Sequence, residues 1–187
     1  MKGAITTTKF ALVGLILVAL ATSAAISVQD KYTVKVKDGL AISEFKGYES
    51  WEAINISHSG PLMAVILGNK AMIDAYRAGI PGNGKPFPDG ARMAKIHYNA
   101  TKNEAAPSQP LVGGSLHDVD FMVKDSKRFA DGNGWGYAAF IYDPASKKFR
   151  PATTTDNPPQ GNDAKCGVAC HTAAKNRDYV FTSYGLR

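Results

Sequence analysis

Cysteine is scarce in this 187-residue chain: there are two, Cys166 and Cys170, both in one short stretch near the C-terminus. A scaffold stapled by several disulfides is thereby excluded. Charge of one sign is also thin. Lys and Arg number 22 against 16 acidic residues, a formal charge of +6, yet no basic run exceeds the Lys147-Lys148 pair. A surface without a basic stripe offers nucleic acid little to grip, so no nucleic-acid partner is expected. No apolar run reaches the ~20 residues that a membrane helix needs; the longest, Phe10 to Ala21, has 12. Repeats and long linkers are missing too, and one domain is the expectation.

The N-terminus carries an address. Lys2 and Lys9 precede the apolar run, and the small residues Thr22-Ser23-Ala24-Ala25 follow it. A basic flank, a short apolar stretch and small residues at the end read as a secretory signal peptide; an uncleaved membrane anchor has the same basic flank, but the 12-residue run is short for one. Residues 1–25 are therefore expected to be removed, leaving a single domain over residues 26–187. The mature chain should be periplasmic or secreted, with no stable membrane insertion after cleavage.

Along the exported part, Trp51 to His58 alternates bulky apolar and polar side chains, and Leu62 to Leu67 is a short apolar run behind Ser59-Gly60-Pro61. Two strands joined by a tight turn fit this pattern. Asn69 to Ala78 places Met72, Ile73 and Tyr76 at helical spacing between a capping Asn69 and Gly79, which predicts a short amphipathic helix. Arg92 to Tyr98 alternates again, with Met93, Lys95 and His97 on one face and Arg92, Ala94, Ile96 and Tyr98 on the other. Strands are expected over His117 to Lys124 and Trp135 to Tyr142, loops over Thr101 to Gly114 and Lys147 to Gly161, and helix from Asp163 to Ala174. The fold class is α+β: mainly antiparallel β-sheet with a few short flanking helices packed on one side.

Chemistry concentrates in Cys166-Gly167-Val168-Ala169-Cys170-His171. Two cysteines followed at once by histidine suit c-type haem attachment, in which both sulfurs bond the porphyrin and the imidazole binds its iron. The usual spacing leaves two residues between the cysteines; here there are three, an excess that a bulge eased by Gly167 could absorb. A local Cys166–Cys170 disulfide also suits an exported chain. A zinc site lacks further ligands of the right spacing, and a Cys nucleophile with His171 as base lacks the geometry. If haem is bound, Met63, Met72, Met93, Met122, His58, His97 and His117 are the candidates for a sixth ligand. The Gly79 to Pro86 stretch nearly spells a phosphate-binding loop, but it follows a helix and has Pro86 where a hydroxyl is needed.

Four segments, taken together, resemble the cytochrome P460 family of c-type haem proteins, which includes the gas-binding cytochromes c′-beta. They are Phe87-Pro88-Asp89-Gly90-Ala91-Arg92-Met93-Ala94-Lys95, Val123 to Phe129, Gly134-Trp135-Gly136-Tyr137, and the cysteine motif with Arg177-Asp178-Tyr179-Val180-Phe181-Thr182. The resemblance implies an antiparallel sheet with haem c between the sheet and the C-terminal helix, and a homodimer. It further implies a five-coordinate iron that oxidises hydroxylamine or a related small nitrogen compound, passing electrons to a soluble c-type cytochrome. Cys166, Cys170, His171 and Lys95 would bind the cofactor. His171 would be the metal ligand, and Lys95 corresponds to the lysine that family enzymes cross-link to the porphyrin. Asp120 is the first candidate for the proton acceptor, with Asp118 on the same face and His117 on the other. Cytochromes c′-beta lack the lysine and only bind nitric oxide or carbon monoxide, the alternative reading. Some family enzymes also place an arginine near the haem, where Leu62 to Leu67 here is wholly apolar.

Overall fold

A computed structural model describes residues 30–37, 39–152 and 165–186. The expected signal peptide lies outside the described residues, as does most of the loop expected over Lys147 to Gly161. Six strands form one antiparallel sheet in chain order: β1 (Glu52–Ser59), β2 (Leu62–Gly68), β3 (Arg92–Lys102), β4 (Leu111–Lys124), β5 (Trp135–Asp143) and β6 (Lys148–Pro151). Two α-helices, α1 (Lys70–Arg77) and α2 (Lys165–His171), and several 3-10 turns flank it. The expected α+β class, with a mainly antiparallel sheet, is what forms. Helix α1 starts as its sequence dictates: the Asn69 side chain accepts from the Met72 N–H at 3.0 Å, and the chain leaves the helix through Gly79 at φ 88°.

The sheet has two apolar faces because its strands alternate. On one, Ala94 and Ile96 of β3, Val119 and Phe121 of β4, and Ala138 and Phe140 of β5 form a buried cluster with Leu40, Ile42, Phe45 and Tyr48 from the segment before β1. Phe45 stacks on Phe121 with ring centroids 4.2 Å apart. On the other, Ile54, Ile66, Met93, Met122, Trp135 and Tyr137 pack with Met72, Ile73 and Tyr76 of α1, with Phe87 and with Val180. Both faces are thus covered, where a cover on one side was expected. The second cover consists of short 3-10 turns, which lack the 3.6-residue periodicity that announces a helix.

Two expected loops shrink. β3 runs on to Lys102 and β4 begins at Leu111, although Gly113 and Gly114 read as punctuation. They are strand glycines required by close approach: a Cβ on Gly113 would stand 3.1 Å from the Tyr98 ring, and one on Gly114 2.9 Å from the Asn99 carbonyl. Lys148–Pro151, expected as loop, pairs with β5 as an edge strand. Pro151 is tolerated there because an edge strand leaves one row of N–H groups unused.

Candidate functional site

β3 and β4 pair so that Lys95 lies directly opposite Asp120 and Met93 opposite Met122. All four face the side that α2 covers, and they form one wall of a cavity of about 830 Å³ between the sheet and the C-terminal segment. Cys166, Gly167, Cys170 and His171 of α2 line the opposite wall, with Ile66, Val180 and Phe181 adding apolar surface. The five residues singled out by sequence, Lys95, Asp120, Cys166, Cys170 and His171, therefore share one cavity. Of the seven Met and His side chains weighed as sixth ligands, Met93 and Met122 line it and the other five do not.

Helix α2 accommodates the cysteine spacing without a bulge. It is α-helical across the motif. At 3.6 residues per turn, positions four apart differ by only about 40° around the axis and positions three apart by about 60° in the other sense. Either spacing sets two thiols on one face. Gly167 has another purpose. A Cβ there would fall 2.6 Å from Tyr137 Cβ and 2.9 Å from its Cδ1, and nearer still to Cγ. Glycine lets the helix lie directly on β5.

His171 is held on three sides. Its ring is flanked by Tyr137 and Phe181, each with centroids 4.9 Å away, and its Nδ1 donates to the Tyr179 carbonyl at 2.7 Å. That bond assigns the proton to Nδ1 and leaves Nε2 as a free electron pair. Burial favours the neutral imidazole and lowers its pKa, partly offset by the bond to Tyr179. Both thiols are free and exposed. Two thiols on one helical face, a neutral imidazole with its second nitrogen uncommitted and an apolar cavity of this size fit a covalently attached haem. Cys166 and Cys170 would hold it and His171 would bind its iron.

Opposite, Asp120 belongs to a small titratable cluster. His97 contacts Asp118 in a short hydrogen bond and lies 3.8 Å from the Asp120 carboxylate, while His117 Nδ1 meets Asp118 at 2.7 Å. Burial pushes the Asp120 carboxyl up to about 6, and the Asp118 charge adds to that. Burial acts the same way on Asp118, but its bonds to His97 and His117 outweigh it and hold that carboxyl below the usual range. The two acids are thus set apart, one ionised and one poised near neutrality. Sequence reading put Asp118 and Asp120 on one face; it missed His97 as the link between them, although His97 shares a strand face with Lys95.

A model of the family described as Cytochrome P460 matches residues 45–182. None of the curated proteins searched matches the chain.

Proposed function

The chain belongs to the cytochrome P460 family, a family of haem-dependent redox proteins, and from that premise we propose that it is an exported c-type haem oxidoreductase. Its substrate is hydroxylamine or a related small nitrogen compound, and its electrons pass to a soluble c-type cytochrome. The mature chain works in the periplasm or outside the cell, as a homodimer. The observation that carries this reading is the convergence of Lys95, Asp120, Cys166, Cys170 and His171 on one cavity.

The haem, when bound, supplies an iron able to take the nitrogen lone pair and the electrons of the substrate. The chain does the rest. Cys166 and Cys170 would anchor the cofactor to α2, and His171 would present Nε2 to it from a ring fixed by Tyr137, Phe181 and the Tyr179 carbonyl. Lys95 reaches into the cavity from the centre of the sheet, where it would hold the macrocycle to β3 as a further point of attachment. Oxidising hydroxylamine releases protons, and Asp120, poised at about 6, is placed to accept them beside Lys95. Ile66, Met93, Met122 and Val180 keep the wall around these groups apolar, which strengthens every charge interaction inside.

Lys95→Leu is the test. With the cross-link, the wild-type reduced spectrum is displaced far to the red, and the variant returns to an ordinary c-type spectrum and loses hydroxylamine turnover. Survival of both spectrum and turnover overturns the cross-link. A wild-type protein with an ordinary spectrum, gas adducts and no turnover would instead be a cytochrome c′-beta-like binder of nitric oxide or carbon monoxide.

A further inference from the structure

Two consecutive residues that are not glycine, Asp178 and Tyr179, hold left-handed backbone, with φ 48° and 64°. Side chains disfavour that conformation, and it persists where surrounding contacts over-determine it. Here the contacts are specific. Lys124, at the end of β4, donates from Nζ to Asp178 Oδ1 at 2.9 Å, and the Phe87 N–H donates to Asp178 Oδ2 at 2.8 Å. Lys124 is buried and Asp178 mostly so, with side chains 8% and 12% exposed, and the Lys124 ammonium also lies 5.0 Å over the Trp135 ring. Neither Lys124 nor Asp178 lines the cavity. The Tyr179 N–H is spent on the Ala174 carbonyl at 2.9 Å, so the turn is closed on both sides and its carbonyl is aimed back at His171 Nδ1, 2.7 Å away.

A buried ion pair is a poor way to gain stability, because desolvation offsets most of the attraction and apolar residues would serve as well. What it gives is a fixed geometry. We infer that Lys124 and Asp178 are positioning residues for the axial ligand: their ion pair locks the left-handed turn that aims the Tyr179 carbonyl, and that carbonyl fixes the tautomer and rotation of the His171 imidazole. The inference rests on the haem reading above and adds to it a determinant of ligand strength. A histidine whose outer nitrogen donates a hydrogen bond is a more basic ligand. Loosening the turn weakens that donation and destabilises the oxidised metal relative to the reduced one.

The experiment uses the haem-loaded protein and compares Asp178→Asn, Lys124→Met and the double variant with Ile42→Ala, a core truncation on the opposite sheet face. The readouts are the iron–histidine stretching band of the reduced protein and the midpoint potential. Both single variants are expected to lower and broaden the band and raise the potential. The double variant should do no more than either single one, while Ile42→Ala loses thermal stability and leaves both readouts in place. Variants that lose stability with band and potential unmoved overturn the inference. Should a single variant not load haem, the double one, which leaves no buried charge unpaired, carries the same comparison. In the wild-type holoprotein the His171 Nδ1 proton should exchange slowly with solvent by NMR, and fast exchange also overturns it. Absence of any iron–histidine band in the wild type is a different failure, that of the haem reading itself.

Discussion

Gly167→Ala isolates the contact that sets the depth of the cavity. The added Cβ would stand 2.6 Å from Tyr137 Cβ and 2.9 Å from Cδ1, against an ordinary carbon–carbon separation of about 3.5–4 Å. Tyr137 cannot swing clear, because its own Cβ is among the atoms met and its ring is held against His171. Relief requires α2 to lift from β5 by about 1 Å. Overpacking of this kind costs about 1–3 kcal/mol, and the better helix propensity of Ala returns at most about 1. A net loss of about 1–2 kcal/mol follows, or a Tm lower by roughly 2–8 °C for a chain of this size. The same lift carries Cys166, Cys170 and His171 away from Lys95, so the fraction of chain carrying haem should fall as well. Thermal melts and the haem-to-protein absorbance ratio measure both. A Gly167→Ala protein that melts with the wild type and loads haem fully would refute the close approach of helix and sheet.

Asp120 should set the acid limb of turnover near its value of about 6, with activity rising as pH climbs through it; Asp118→Asn removes a neighbouring negative charge and should move that limb to lower pH, while Asp120→Asn abolishes it. The same shift bears on stability. The folded value lies above the unfolded ~3.9, so ionising Asp120 costs folding free energy as pH rises from about 4 to about 6, and denaturant titrations of Asp120→Asn should lack that decline. Asn69→Ala should cost about 1–2 kcal/mol by urea melts, since Asn69 caps α1 through Met72 and also accepts from the Arg92 N–H at 3.0 Å. Phe121→Ala should cost about 3–5 kcal/mol, since Phe121 is buried against Phe45, Tyr48 and Phe140.

Much of the candidate site was legible because its signals are local. A period of two in β3 put Lys95 on the face of Met93, and Cys170-His171 is contiguous. The facing of Lys95 and Asp120 was not legible as a pair, because register depends on the length of the turn and on irregularities near His97, Tyr98 and Ala100 that shift the β3–β4 pairing. Lys124 and Asp178 are far apart in the chain, and nothing local to either residue announces a buried ion pair. Tyr179 in the left-handed region was hidden for the opposite reason: local preference argues against it, and contacts from elsewhere in the fold, those of Asp178 among them, hold it there. The segment around Leu40, Ile42 and Phe45 covers a whole sheet face with 3-10 turns, whose side chains follow no period that a pattern search would detect.

The most direct measurement is the mass of the matured protein under denaturing conditions, followed by mapping of the peptide that holds Cys166, Cys170 and His171. Attachment through the two thiols predicts that haem stays on the unfolded chain and maps to this peptide, with a further link to the peptide of Lys95. A chain that sheds its haem on unfolding, or one lighter by two hydrogens with Cys166 bonded to Cys170, would contradict it.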